Sequence, residues 1–363
     1  MITCQLSISV KIVVAIDSFK GCLSSAEANA AARSGILAAC ADAEVVDIPV
    51  SDGGEGWLDA YRTAVGGEMV SVRVCDPLMR QTDCCYLRKD DLAVIETARA
   101  IGLTLLKAEE RNPLTATSYG VGQLVADAIR RGCRRFVIGL GGSGTSDAGK
   151  GMLQALSDAF GREDLYHVSA LKDLQFTLAT DVTNPLCGPQ GAAHVFGPQK
   201  GATPEMVVEL DRRAAAFAKQ SARRCGHDCS LAAGAGAAGG LGYAFMQYLR
   251  AGCQSGIDLL LDTVGFDKQV EGANLVVTGE GRADGQTLMG KLPHGIMLRA
   301  SRHHVPTLLI AGKVTDRQML LDAGFAYVES INPPTLSLEE AMKKAVAAEN
   351  IRKLMECFFR LKS

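Results

Sequence analysis

The chain has 363 residues, with 40 acidic and 38 basic side chains and a formal net charge of −2, so no basic excess points to nucleic acid or to an anionic membrane surface. Its length exceeds one typical core and predicts about two domains. Hydrophobic residues make up 47% of it but aromatics only 5%, which leaves Ala, Val, Leu and Gly to pack helices against parallel strands, as in α/β enzymes.

The twelve cysteines are scattered rather than dense, which predicts reduced thiols and a cytoplasmic protein. Cys225-Gly-His-Asp-Cys229 lacks a second Cys/His pair at zinc-finger spacing. Residues 1–10 have no basic leader pattern. The uncharged run 229–249 is Gly- and Ala-rich and contains Gln247, so it predicts a buried loop and helix, not a membrane span.

Residues 11–16, KIVVAI, predict a buried strand that ends in Asp17, Ser18 and Lys20. The carboxyl ends of such strands are where open α/β sheets bind ligands. Ser24 and Glu27 match a capping box opening an Ala-rich helix to about residue 40. A second strand, 44–49, runs into Asp52, Gly53, Gly54 and Glu55. Asp17 and Asp52 are read equally well as caps of the helices that follow them.

Alternating residues 69–95 predict antiparallel strands turning at Asp90-Asp91, the start of an inserted second domain. Glu96 closes the last of them, either facing a cleft or capping a helix, and 118–131 is helical. Strand residues 136–140 then lead through Gly141, Gly142, Ser143, Thr145 and Ser146 to a helix over 150–160. That order of strand, glycine-rich turn and helix start favours an anion, because glycine permits close backbone approach and free N–H groups point outward.

A brief strand, 177–180, ends at Asp181, followed by Thr183, Asn184 and a turn stiffened by Pro185, the ingredients of a metal or hydroxyl site. Lys200 lies between glycines, with no neighbours in sequence to pack its stem, and suits a phosphate. Residues 205–224 form an exposed helix. The last third alternates strand and helix: strands 274–278, 307–311 and 326–331, helices near 288–303 and 316–322, and a final helix from 337. Both chain ends therefore build one parallel sheet, residues 1–60 with 270–363, around an inserted α/β domain, 61–269.

Two stretches, 139–144 and 234–239, satisfy the dinucleotide pattern G-x-G-x-x-G. Neither opens a first βαβ unit with a well-placed ribose-binding acid, which argues against nicotinamide or flavin. Residues 285–292 nearly match a P-loop, but Leu292 stands where Ser or Thr would hold magnesium. Glycine-rich loops, lysines and arginines within them, and strand-end carboxylates form the inventory of phosphoryl transfer from a magnesium nucleotide.

VAIDSFKG (14–21), PVSDGGEG (49–56), GLGGSGTSDAGKGMLQAL (139–156), ATDVTNPLCGP (179–189), FGPQKGA (196–202), GAGAAGGLG (234–242) and TGEGRADGQTLMGK (278–291) together resemble the type I glycerate kinase family of bacteria. The resemblance runs from about residue 11 to 313. It implies ATP- and Mg²⁺-dependent phosphorylation of D-glycerate, usually at the 2-hydroxyl, and a two-domain α/β fold whose discontinuous domain is flavodoxin-like. Lys150 departs from the family pattern, where Ala is usual.

Roles follow from chemistry. Asp181 is the expected general base, with Lys20 and Lys200 on the transferred or donor phosphates. Gly141, Gly142, Ser143, Thr145, Ser146 and Lys291 are expected at ATP. Asp17, Ser18, Asp52, Gly53, Gly54, Glu55, Asn184 and Arg282 are expected at the acid substrate, and Asp52 and Asp284 at Mg²⁺. Two rivals remain at this level: a kinase for another small hydroxy acid, and a non-catalytic binder of phosphorylated metabolites. No nucleic-acid or membrane partner is expected, and monomer and homodimer are both open.

Overall fold

The computed structural model describes residues 10–19, 21–51, 56–161, 171 and 173–361. They carry eleven strands: β1 (Lys11–Ile16), β2 (Glu44–Asp47), β3 (Glu68–Cys75), β4 (Gln81–Lys89), β5 (Leu92–Glu96), β6 (Arg135–Gly139), β7 (Gln175–Ala179), β8 (Gly252–Gln254), β9 (Leu275–Ala283), β10 (Thr307–Val314) and β11 (Tyr327–Ser330). The fold is mixed α/β with two sheets in which parallel pairing dominates. The chain divides into two compact units, residues 1–51 with 260–363, and residues 52–259.

In the first unit five strands run parallel in the order β11-β10-β9-β1-β2. Counted along the unit this is 2-1-3-4-5, the flavodoxin-like order, and the direction of winding reverses between β1 and β9. Ile12 to Ile16 are wholly buried, as expected of a central strand covered on both faces. Helices Ser25–Ala39 and Lys344–Arg360 share one apolar cluster with β1, β9 and β10, built on Ile12, Ile36, Val277, Ile351 and Met355. The other face packs Met297, Leu309 and Leu320. Ser24 caps the first helix in a capping box with Glu27, as its sequence requires.

β9 extends five residues past the expected strand end, through Gly279, Glu280, Gly281, Arg282 and Ala283. Propensity disfavours a strand with two glycines, but tertiary pairing overrides it. β10 continues alongside as far as Val314 opposite Ala283. The following helix starts at Leu292 and not near 288, because Gly285–Leu288 forms a separate 3-10 turn. The final helix is likewise broken into Leu338–Ala341 and Lys344–Arg360.

The second unit holds a six-stranded sheet, β3-β4-β5-β6-β7-β8. β3, β4 and β5 are antiparallel, with Asp90 at positive φ in the β4–β5 turn, and β5 to β8 are parallel. The short β8 was not legible, since three residues carry no periodicity. A single cluster including Phe136, Phe176, Phe245, Val121 and Met152 fills this core. Among the described residues no helix is long and apolar enough to cross a membrane. Their eleven cysteines are all free thiols.

Candidate active site

The reversal point of the parallel sheet lies between the carboxyl ends of β1 and β9. The Asp17 amide donates to Gly279 O at 2.9 Å. Asp17 is buried, and its Oδ1 accepts from the Ser18 amide at 2.7 Å. Helix Ser25–Ala39 fixes this end of the sheet. Ser25 Oγ donates to Ile16 O (2.6 Å) and accepts from the Val50 amide (2.9 Å). Asn29 accepts from the Ile16 amide and donates to Ile48 O, both at 3.0 Å. Both loops that follow β1 and β2 are therefore anchored where they leave the sheet. Lys20, Asp52, Gly53, Gly54 and Glu55 lie outside the described residues.

At the end of β9 a buried carboxylate organises the next loop. Glu280 Oε1 accepts from Thr287 Oγ1 at 2.6 Å and its Oε2 from Lys291 Nζ at 3.0 Å. Asp284 caps the 3-10 turn Gly285–Leu288 by accepting from the Gln286 amide (2.9 Å), and Arg282 Nε pairs with its Oδ2 at 3.0 Å. Arg282 is largely exposed, whereas Asp284 is half-buried. Arg282, Asp284 and Lys291 therefore stand together, joined by Glu280 and Thr287. The turn also separates this loop from a P-loop, which wraps phosphate in open backbone.

In the other unit the turn after β6 is held by Asp147. Its Oδ2 accepts from the Ser118 amide and hydroxyl (both 2.8 Å) and from the Gly151 amide (3.0 Å), while Oδ1 accepts from the Gly149 amide (3.0 Å). Ser118 Oγ in turn accepts from the Met152 amide at 3.0 Å. On the other side the backbone is pinned to residues 101–103, through Gly144 N to Ile101 O (2.7 Å) and Leu103 N to Gly142 O (2.9 Å). Gly142 is exposed at φ 67°, whereas Ser143 and Thr145 are buried. Thr145 Oγ1 and Ser146 Oγ are buried hydroxyls with no hydrogen-bond partner among the described residues, a rare condition that calls for an explanation.

Lys200 closes this turn. Its Nζ donates to Ser143 Oγ at 3.0 Å and to Thr145 O at 2.6 Å. Lys200, read from its lack of packing neighbours in sequence as no core position, is nevertheless buried: only 3% of the residue is exposed, at the end of the 3-10 turn Pro198–Lys200. Burial pushes its ammonium down to about 8, opposed by the charge of Asp147. A buried cation on a glycine- and hydroxyl-rich turn has the chemistry of an anion site.

At the end of β7, Asp181 is exposed. Asn184 Nδ2 donates to Gln190 O at 2.8 Å, and Asn184 O accepts from the Gly236 amide at 2.9 Å. Asn184 therefore braces its own turn and leaves Oδ1 as its remaining acceptor. The second glycine run, residues 234–242, lies beneath these loops: Ala148 N donates to Gly239 O at 3.0 Å.

Asp147, Ser118, Ser25, Asn29 and Thr287 escaped the sequence reading. Asp147 and Ser118 carried a signal, being cap-type residues just ahead of helices. Asn29 carried none, because its partners are distant in sequence. Glu96 does not cap the helix Ala98–Ile101 that follows it, and accepts instead from the first turn of the helix Trp57–Val65. Its Oε2 accepts from the Leu58 amide at 3.1 Å and from Arg99 Nε at 3.4 Å, and burial raises its carboxyl above the usual range.

The profile of the "Glycerate kinase family" matches residues 12–363. The glycerate kinase of Bacillus cereus is 40% identical over 363 aligned residues, covering 94% of this chain and 95% of that one. The glycerate 2-kinase of Escherichia coli K12 is 39% identical, covering 92% and 94%. The crystal structure of a candidate glycerate kinase 2 from Salmonella typhimurium LT2 superposes with a TM-score of 0.82 at 36% identity, covering 98% of both chains. With the family profile and these relatives spanning nearly its whole length, the chain belongs to the glycerate kinase family and is a kinase.

Proposed function

We propose that the chain transfers the γ-phosphoryl group of ATP to the 2-hydroxyl of D-glycerate, giving 2-phosphoglycerate and ADP, and that it acts in the cytoplasm. The observation that carries the reading is the turn after β6, where Lys200 Nζ sits 3.0 Å from Ser143 Oγ beside two buried hydroxyls that have no hydrogen-bond partner among the described residues. Charge spreads over the equatorial oxygens as a phosphoryl group moves, and preorganised donors of this kind stabilise it. The name glycerate 2-kinase carried by the Escherichia coli relative supports the choice of hydroxyl.

In this reading the substrate's O2 forms a bond to the γ-phosphorus while the bond to the β,γ-bridging oxygen breaks, and the hydroxyl proton passes to Asp181. Thr145, Ser146 and Lys200 donate to phosphate oxygens, with Gly141 and Gly142 allowing close approach. In the parallel-sheet unit Asp17, Ser18 and Arg282 contact the acid substrate, and Lys291 contacts the nucleotide phosphates. No group of three or more His, Cys, Asp or Glu side chains able to hold a metal occurs among the described residues. The donor set still fits Mg²⁺, which takes one or two carboxylates besides phosphate and water. Asp284 is half-buried, and its Oδ1 accepts from the Gln286 amide while its Oδ2 pairs with Arg282 Nε, so it is the described carboxylate that would hold the ion. The ion supplies neutralisation of the phosphate charge when bound.

Phosphorus NMR of the product tests the reaction: 2-phosphoglycerate is expected, and accumulation of 3-phosphoglycerate would overturn the choice of hydroxyl. Faster turnover with tartronate or hydroxypyruvate than with glycerate would overturn the acceptor. Asp181→Asn preserves shape and removes the proton acceptor, so kcat is expected to fall about 10²-fold or more with ATP affinity unchanged. Loss of ATP binding instead would make Asp181 a metal ligand.

A further inference from the structure

We propose that Glu280 is a positioning residue, which fixes the Lys291 ammonium and the turn at 284–288 as one preformed receptor for the phosphate end of the nucleotide. The inference rests on the reading of Lys291 as a nucleotide contact. It starts from the cost of a buried carboxylate, which must be paired and hydrogen-bonded to persist. The Glu280 side chain is 10% exposed, and its two oxygens are taken by two donors lying seven and eleven residues further along the chain.

The Thr287 hydroxyl gives the clamp its direction. Thr287 Oγ1 accepts from the Asp284 amide at 3.1 Å, so its proton is aimed at Glu280 Oε1 at 2.6 Å. A continuous chain therefore runs from the Asp284 amide through Thr287 to Glu280 and on to Lys291 Nζ. Gly285 N is held separately by Asp316 Oδ2 at 3.1 Å. A lysine stem has four rotatable bonds and costs about 2 kcal/mol of rotamer entropy to fix. Glu280 fixes it before any ligand arrives.

Lys291 remains 38% exposed at its side chain, and an ammonium has three donors, of which the Glu280 bond uses one. It can therefore donate to phosphate without releasing Glu280, so the anion meets a cation already in place. Placement reinforces this. Glu280 follows Gly279, which pairs with Ile16 across the sheet's reversal point, where open α/β sheets bind ligands.

The test measures the ATP Kd by calorimetry without glycerate, together with KM, kcat and melting temperature. Glu280→Gln can still accept from Thr287 but carries no charge to hold the ammonium. Its ATP Kd and KM are expected to rise about tenfold with kcat within threefold of the unmodified chain. Thr287→Val is expected to move ATP Kd in the same direction, and Thr287→Ser to restore it. Adding Glu280→Gln to Lys291→Met is expected to cost little more than Lys291→Met alone, because the two act as one unit.

A lowered melting temperature with ATP Kd within twofold would make Glu280 only a staple and overturn the proposal. A loss confined to kcat would place Glu280 at the chemistry and also overturn it. If Glu280→Gln fails to fold, the Thr287 pair decides, since equal ATP Kd for the Val and Ser variants overturns the clamp. An unmodified chain that binds ATP without phosphorylating glycerate would overturn the acceptor assignment, and the Glu280 comparison would still be readable.

Discussion

Residues 139–144 and 234–239 spell the same pattern, G-x-G-x-x-G, and the fold puts them in different surroundings. The first leaves β6 as a turn exposed at Gly142, at φ 67°, with Ser143 Oγ and the Thr145 carbonyl gathered around Lys200 Nζ. The second is buried throughout, and Ala238, Gly239 and Gly240 follow one another at positive φ (50°, 69° and 90°). A Cβ on Gly239 would stand on the Thr145 carbonyl oxygen and within 2.8 Å of Ser146 Cα. The second run is thus a floor on which the first rests. A glycine pattern reports that backbone comes close to something, and only the fold decides whether that is ligand or protein.

The largest effect is expected where floor meets turn. Gly239→Ala combines a backbone clash with a left-handed conformation, so stability should fall by more than about 3 kcal/mol, read by urea unfolding. Activity should vanish with it, because the displaced atoms belong to Thr145 and Ser146. A variant as stable and active as the parent would break the comparison at its centre.

Lys200→Met acts on the turn without touching the floor. It keeps most of the stem volume and removes the charge, so kcat/KM is expected to drop about 10²- to 10³-fold. Stability should change little, since the relief of a buried ammonium offsets the donor lost to Thr145 O. A variant that unfolds while the residual folded fraction keeps near-normal kcat/KM would recast Lys200 as a structural bolt.

The sequence announced the first glycine run because local signals coincide there: apolar β-branched residues, then glycines and hydroxyls, then helical periodicity from Lys150. It also showed most strands of both sheets, whose period survives in short windows. It could not show that Lys200 is buried, since the residues enclosing its Nζ lie more than fifty positions away. Nor could it separate Asn184 the turn brace from Asn184 the ligand contact, because both uses want the same short amide beside a proline. Glu96 was undecided because its partner, the Leu58 amide in the helix Trp57–Val65, lies 38 positions away. The extension of β9 through two glycines was hidden, because pairing with β10 is a tertiary effect that no local window contains.

A pH titration sharpens the contrast with a sign that activity and stability do not share. The folded Lys200 releases its proton near 8, the unfolded chain only near 10.5. Between those values the unfolded state binds more protons, so stability rises with pH, by roughly 3 kcal/mol across the full window. Below about 8 both states are protonated and this group adds no slope. Over the same rise kcat/KM should fall about tenfold per unit above 8, because the neutral amine no longer offsets phosphate charge. Unfolding and kinetics measured from pH 7 to 10 on the parent and on Lys200→Met separate this group from others that titrate there. A parent and variant with parallel stability curves would sink the assignment.

The smallest effect is expected at Gly142, and it is the most direct test of what distinguishes the two runs. Gly142 shares a positive φ with Gly239, but the nearest atom to a Cβ built there is Ala98 Cβ at 3.4 Å, an ordinary contact. Its carbonyl accepts from the Leu103 amide at 2.9 Å, a bond that a methyl group leaves intact. Gly142→Ala should therefore cost only the left-handed strain of an L-residue, about 1 kcal/mol. Gly142 is exposed and the added methyl meets only Ala98 Cβ, so the ATP KM should rise a few-fold with kcat nearly unchanged. If Gly142→Ala were as destabilising as Gly239→Ala, conformation alone would explain both glycines, and the division between a ligand-facing turn and its packed floor would lose its physical basis.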